Sequence, residues 1–90
     1  MQSKNKKTMT AAERVHVGMI KSMSCVVCEA PPPSEAHEPE QGLWFVSIPL
    51  CADCHRGSIN GWHGQKAMWR LKKWQEIDAL NETIKRFGDN

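Results

Sequence analysis

The chain has no long apolar run. Nowhere do about 18 apolar residues follow one another, so no membrane-spanning helix is expected. The opening MQSKNKKTMT is polar and basic and has no apolar segment of the kind a signal peptide carries. A reducing, cytoplasmic setting is the expectation, and there paired cysteines serve metals better than disulfides. The chain has no internal repeat and no glycine-rich nucleotide-binding pattern. It also has no strong charge of either sign. The net charge of +2 does not by itself argue for nucleic acid. Finally, it is short. Ninety residues bury a limited core, and a chain of that size calls for a staple.

The four cysteines supply the candidate staple. Cys25 and Cys28 form one C-x2-C pair, Cys51 and Cys54 a second, and 22 residues separate them. Cysteines three apart on a tight turn can aim both sulfurs at one ion. Two such turns complete a tetrahedral four-thiolate cage with bonds of about 2.3 Å. Structural Zn2+ is the expected occupant, and its binding energy becomes folding energy. Free buried cysteines are the bland alternative, and this spacing argues against them.

Around the cysteines the chain reads as a small α+β domain over residues 8–90, after a disordered basic segment 1–7. Thr10 and Glu13 have the spacing of a capping box that opens a helix. Val15, Met19 and Met23 would form its apolar side, with His16 on the surface. Residues 29–41, EAPPPSEAHEPEQ, exclude continuous helix but allow a short strand over Ser34–His37. LWFVSIPL, from Leu43 to Leu50, reads as the best strand, ended by Pro49. A helix should begin near Cys51, and SINGWHG should be a glycine-punctuated loop. A single last helix is expected from Gln65 to Arg86. Met68, Leu71, Leu80, Ile84 and Phe87 would face the core, with Ile77 beside them. Trp62, Trp69 and Trp74 close a small core or meet nucleobases. Burial is the commoner fate of an indole.

The histidines remain to be placed. His37 lies in EAHEPE, His55 directly follows Cys54, and His63 lies in NGWHG. Read singly, they are a surface residue, a helix cap and a structural loop residue. Read together, they are three imidazoles beside a metal knuckle that needs none of them.

C-x2-C, a histidine at a strand end, IPLC, and then C-x2-C-H resemble the HNH nuclease superfamily over about residues 25–63. IPLCADCHRG followed by GWHG is similar to small phage and prophage members, among them relatives of the RecA-dependent recombination-enhancement nuclease. The resemblance implies a zinc-stabilised ββα-metal fold flanked by N- and C-terminal helices. It implies a DNA endonuclease that nicks or cleaves phosphodiester bonds, with DNA and a recombination protein as partners. His37 matches the family's general base, and His55 matches its ligand for a catalytic divalent ion (Mg2+, Mn2+, Ni2+ or Zn2+). The family's further ligand one turn on falls at Ile59, which cannot ligate, so His63, or else Asn60, would take its place.

Two further positions depart from the pattern. Ala36 stands where the family often has a ligand, and Val46 stands where its central asparagine orients the base. Glu35 or Glu38 would have to supply a missing carboxylate. The implied chemistry suits these residues. A neutral histidine can take a proton from water near neutral pH, and a divalent ion polarises the phosphate. Arg56 and Lys66, close to the motif, would contact phosphate independently of sequence. Two rivals keep the cysteines without the chemistry. One is a non-catalytic zinc module that binds DNA. The other is a protein-interaction module built on the tryptophan-bearing C-terminal helix.

Overall fold

A computed structural model describes residues 8–88; the basic segment expected to be disordered lies outside them. Among the described residues the chain forms four α-helices and one two-stranded sheet. In order these are α1 (Ala11–Lys21), β1 (Glu35–His37), β2 (Ile48–Leu50), α2 (Ala52–Arg56), α3 (Ala67–Lys72) and α4 (Glu76–Gly88). No helix among them is long and apolar enough to cross a membrane.

The opening of α1 follows its capping box. The Thr10 hydroxyl accepts the Glu13 amide at 3.1 Å, and the Glu13 carboxylate accepts the Thr10 amide at 2.8 Å. The buried face differs from the expected one. Val17 and Ile20 point inward, while Val15 and Met19 are exposed. α1 packs on the sheet and on the Trp44–Val46 segment, and that contact selects the narrower Val17–Ile20 stripe. His16 is half-buried rather than on the surface, its ring 5.3 Å from Phe45 and 5.5 Å from Phe87.

The sheet is antiparallel, with Glu35 opposite Leu50, Ala36 opposite Pro49 and His37 opposite Ile48. The strand expected over Leu43–Leu50 shrinks to its last three residues, and Pro49 lies inside it rather than ending it. Trp44–Val46 instead forms a 3-10 turn, closed by the Ser47 hydroxyl donating to the Trp44 carbonyl at 2.6 Å. The reason is length. β1 offers only three residues to pair with, so the aromatic run before Ile48 has no strand beside it. Proline in the strand does not waste its carbonyl, which accepts the Val26 amide at 3.1 Å. That bond ties the first cysteine turn to the sheet.

The expected single helix over Gln65–Arg86 is two helices. Lys73 ends α3 in the left-handed region at φ 58°, and Trp74 and Gln75 separate it from α4. Asp78 accepts the Gln75 amide at 2.8 Å and fixes the start of the second helix. The break rotates the apolar stripe out of register. Met68 and Leu80 pack against the core as expected, but Leu71, Ile77 and Ile84 are exposed, whereas Trp69, Ala79 and Thr83 are buried. Trp69 joins Cys25, Val26, Val27, Ile48, Leu50, Cys54 and Ala79 in the core, with Trp62 and Trp74 packed against its edge. The Trp69 indole N–H donates to the Cys54 carbonyl at 3.0 Å, so the one fully buried indole leaves no donor unpaired.

Candidate metal centres

The two cysteine turns meet as their spacing predicts. The sulfurs of Cys25, Cys28, Cys51 and Cys54 all lie within 4.8 Å of one another. Cys28 Sγ and Cys51 Sγ are 3.6 Å apart. A tetrahedral zinc with bonds of about 2.3 Å sets its corner sulfurs about 3.8 Å apart. The four thiols therefore fit a zinc cage, and none is in a disulfide.

Local backbone prepares the cage. Cys51 caps α2, its sulfur accepting the Cys54 amide at 3.4 Å. Burial opposes ionisation at Cys25, but the Cys51, Cys28 and Val27 amides outweigh it and hold that thiol below its ordinary value. Burial pushes Cys28 up to about 11 and Cys54 higher still. Four crowded sulfurs cannot all ionise unless a cation sits among them, which is the chemistry a structural zinc supplies.

Next to the cage lies a second cluster. His37 ends β1, His55 is in α2, and His63 is in the loop that returns from α2. Their ligand atoms also lie within 4.8 Å of one another. Ring centroids are 4.9, 5.3 and 5.1 Å apart for the pairs His37–His55, His37–His63 and His55–His63. The three rings thus stand at nearly equal distances around one point. The loop geometry that delivers His63 is specific. Its amide bonds back to the His55 carbonyl at 3.1 Å, and the Gly61 amide bonds to Gly57 at 2.9 Å. A Cβ at Gly61 would come within 2.5 Å of the Gly57 backbone, and one at Gly64 within 2.4 Å of the Gly57 carbonyl. The loop closes this tightly only with glycine at both positions.

Hydrogen bonding assigns the ring nitrogens. His37 Nε2 faces Glu76 Oε2 at 2.5 Å, and His55 Nδ1 faces Glu35 Oε1 at 2.8 Å. An ionised carboxylate only accepts, so each of these nitrogens carries a proton and donates. In the neutral rings the other two nitrogens, His37 Nδ1 and His55 Nε2, are then bare lone pairs. They face each other at 3.2 Å. Two lone pairs so close need a positive charge beside them. A proton on His37 is disfavoured, because burial lowers its pKa more than Glu76 restores it, and His55 and His63 lower it further. A metal ion, or a proton shared between the two rings, meets the need. Corner nitrogens at bonds of about 2.0–2.1 Å stand about 3.3–3.4 Å apart. With a metal there, the outer carboxylates would fix the orientation of the ligating rings.

The cluster opens to solvent on one side. His37 is buried, His55 half-buried and His63 exposed. A cavity of about 440 Å3 lies over it, lined by the three histidines with Ala36, Glu38, Trp62 and Glu76 among others. Three protein ligands facing a cavity leave room for a fourth ligand from outside.

The other residues singled out in the sequence fall as follows. Ala36 lines the cavity and offers no ligand. Val46 lines a separate apolar groove. Ile59 is exposed, and the Asn60 amide is taken by Asp53 at 2.9 Å, so His63 rather than Asn60 joins the cluster. Glu38 bonds the Gly42 amide at 3.1 Å. Arg56 forms a two-pronged pair with Glu35, Nε at 3.0 Å and a terminal nitrogen at 2.6 Å. That pair, and then His55, holds the Glu35 carboxyl down to about 2. Arg56 therefore positions the site through Glu35. Lys66 stacks its ammonium 4.0 Å over Trp62. Glu76 was not singled out in the sequence. It lies 39 residues from His37, and only the break before α4 turns it toward the cluster.

No protein-family model, curated protein or solved structure matches the chain.

Proposed function

We propose that the chain is a metal-dependent DNA endonuclease, a zinc-stapled domain in which a second cation at His37, His55 and His63 serves phosphodiester cleavage. The observation that carries the reading is the 3.2 Å approach of His37 Nδ1 to His55 Nε2, with Glu76 and Glu35 on the far nitrogens and His63 beside them, at the floor of an open cavity. The HNH resemblance of the cysteine–histidine pattern agrees with it.

A divalent cation bound there supplies Lewis acidity toward a phosphate oxygen and activates water. The residues do the rest. Glu35 and Glu76 hold two rings in the tautomers that present lone pairs, and Arg56 keeps Glu35 ionised. Burial of His37 keeps that ring neutral and therefore able to ligate. With Nε2 held by Glu76 and Nδ1 turned toward His55, His37 would serve as a ligand. The general-base role implied by the resemblance requires the ring to let one of those partners go.

The test is a plasmid-nicking assay on the zinc-loaded chain with added Mg2+, Mn2+, Ni2+ or Zn2+. Metal-dependent nicking is expected, lost in His55→Ala and His63→Ala while one zinc per chain remains. Absence of nicking with every metal, in protein that carries both ions, would sink the endonuclease. The non-catalytic DNA-binding module would then stand.

A further inference from the structure

A second concavity, of about 450 Å3, lies beside the histidine cavity. Its size falls in the range of pockets that hold small ligands, about 300–1,000 Å3. Three cations line it, Lys66, Arg70 and Lys73. Three indoles line it with them, Trp62, Trp69 and Trp74, and the remaining lining residue is the neutral Gln75. No carboxylate is among the lining residues. The two cavities adjoin. Trp62 lines both, and Gln75 of this groove is followed in the chain by Glu76 of the other.

The two lysines occupy unusual backbone positions. Lys66 precedes α3 at φ 61° and Lys73 ends it at φ 58°. Both are left-handed, where glycine is relaxed and a side chain costs free energy. The groove thus carries an ammonium at two places where folding alone would favour glycine. Strain held at such positions points to a use for the side chain. Lys66 already lies 4.0 Å over the Trp62 ring, and Lys72 lies 4.7 Å over Trp74. Ammonium groups next to indole faces provide for phosphate and base side by side.

We propose that this groove binds a single-stranded segment of DNA and leads it to the histidine centre. Lys66, Arg70 and Lys73 follow the phosphates, and the accessible parts of Trp62 and Trp74 stack bases. A single strand fits because its bases turn outward to meet aromatic rings, whereas a duplex hides them in its stack. Binding in the groove is independent of the chemistry; only the fate of the strand at its end rests on the endonuclease reading.

The experiment measures fluorescence anisotropy on the full zinc-loaded chain, with no other metal added. The probes are a labelled oligothymidylate of about 12 nucleotides, within the usual site size for single strands, and a blunt duplex of equal length. The single strand is expected to bind about tenfold tighter and to quench tryptophan fluorescence. Three phosphate contacts on a single strand give a log–log salt slope of about −2. Lys73→Gly should weaken binding and flatten that slope by about 0.7. Its melting temperature should stay level or rise, because glycine is relaxed at that φ, so a loss of binding cannot be a loss of fold. Arg70→Ala should act in the same direction.

Equal affinity for duplex and single strand overturns the proposal. So do unchanged binding and slope in both variants, or tighter binding of the matching oligouridylate, which would assign the groove to RNA. Failure of the cleavage reading looks different. There the oligothymidylate still binds and the variants still weaken it, but no metal yields a nicked plasmid. If plasmid is nicked while the groove variants change nothing, the endonuclease survives and the groove assignment falls.

Discussion

His37 Nδ1 lies 3.2 Å from His55 Nε2, and the far nitrogen of each ring is held by a carboxylate, Glu76 for one and Glu35 for the other. This relationship distinguishes the cluster from three histidines that merely lie near each other. It turns one nitrogen of each ring toward the other, where a cation or a shared proton can sit.

Two metal ions per chain are therefore expected after refolding with excess zinc or cobalt. His63→Ala and His55→Ala should each retain one. Elemental analysis gives the count, and cobalt substitution separates sulfur-rich from nitrogen-rich sites by their absorption. A wild-type chain that holds only one ion would show that the histidines do not form a second centre.

His37→Ala separates the two roles open to that residue. As a ligand its loss lowers occupancy of the second centre, whereas as a general base its loss leaves both ions in place and removes nicking alone. The position of Glu76 predicts the first outcome. Glu76→Gln should lower affinity of the histidine centre by about 10- to 100-fold, the usual effect of losing a ligand's outer partner. Zinc at the cysteines should not change.

Removal of the cysteine-bound zinc should unfold the domain. Cys25 and Cys54 are buried within the core cluster itself, so a zinc held there would form one unit with the hydrophobic contacts. A strong chelator, or Cys54→Ser, should abolish the cooperative thermal transition, read by circular dichroism. A sharp transition that survives in either case would mean that the core is sufficient without the staple.

The break between α3 and α4 makes a prediction about stability. Trp69→Ala should cost about 3–5 kcal/mol, as expected for emptying a buried aromatic site. Leu71→Ala should fall within about 0.5 kcal/mol of wild type, because Leu71 is 76% exposed. Urea denaturation compares the two directly. A continuous helix with Leu71 facing the core would reverse the order.

Much of the local structure was legible in the sequence. The Thr10–Glu13 box opens α1, the short strand before His37 forms, Cys51 caps a helix, and the two cysteine pairs converge. Each depends on residues only a few positions apart or on the stereotyped geometry of a metal knuckle. The Leu43–Leu50 strand failed over most of its length because a strand needs a partner, and β1 is three residues long. The apolar stripe of the C-terminal segment held at Met68 and Leu80 but failed at Leu71 and Ile84, because it assumed one helix axis across Lys73. Nothing near Lys73 announces the break, since lysine is an ordinary helix former.

The amino-acid sequence by itself determined the staple and the identity of the three imidazoles, because ligand chemistry and short spacings are local properties. The tertiary structure alone decided which nitrogens face inward. That choice depends on Glu76 and Glu35 reaching the rings from elements far apart in the chain, and carboxylate–imidazole contacts at such separations leave no periodic trace. It also decided that Trp62 stands between the histidine cavity and a basic groove, because only the packed loop sets Trp62 against Trp69 of α3.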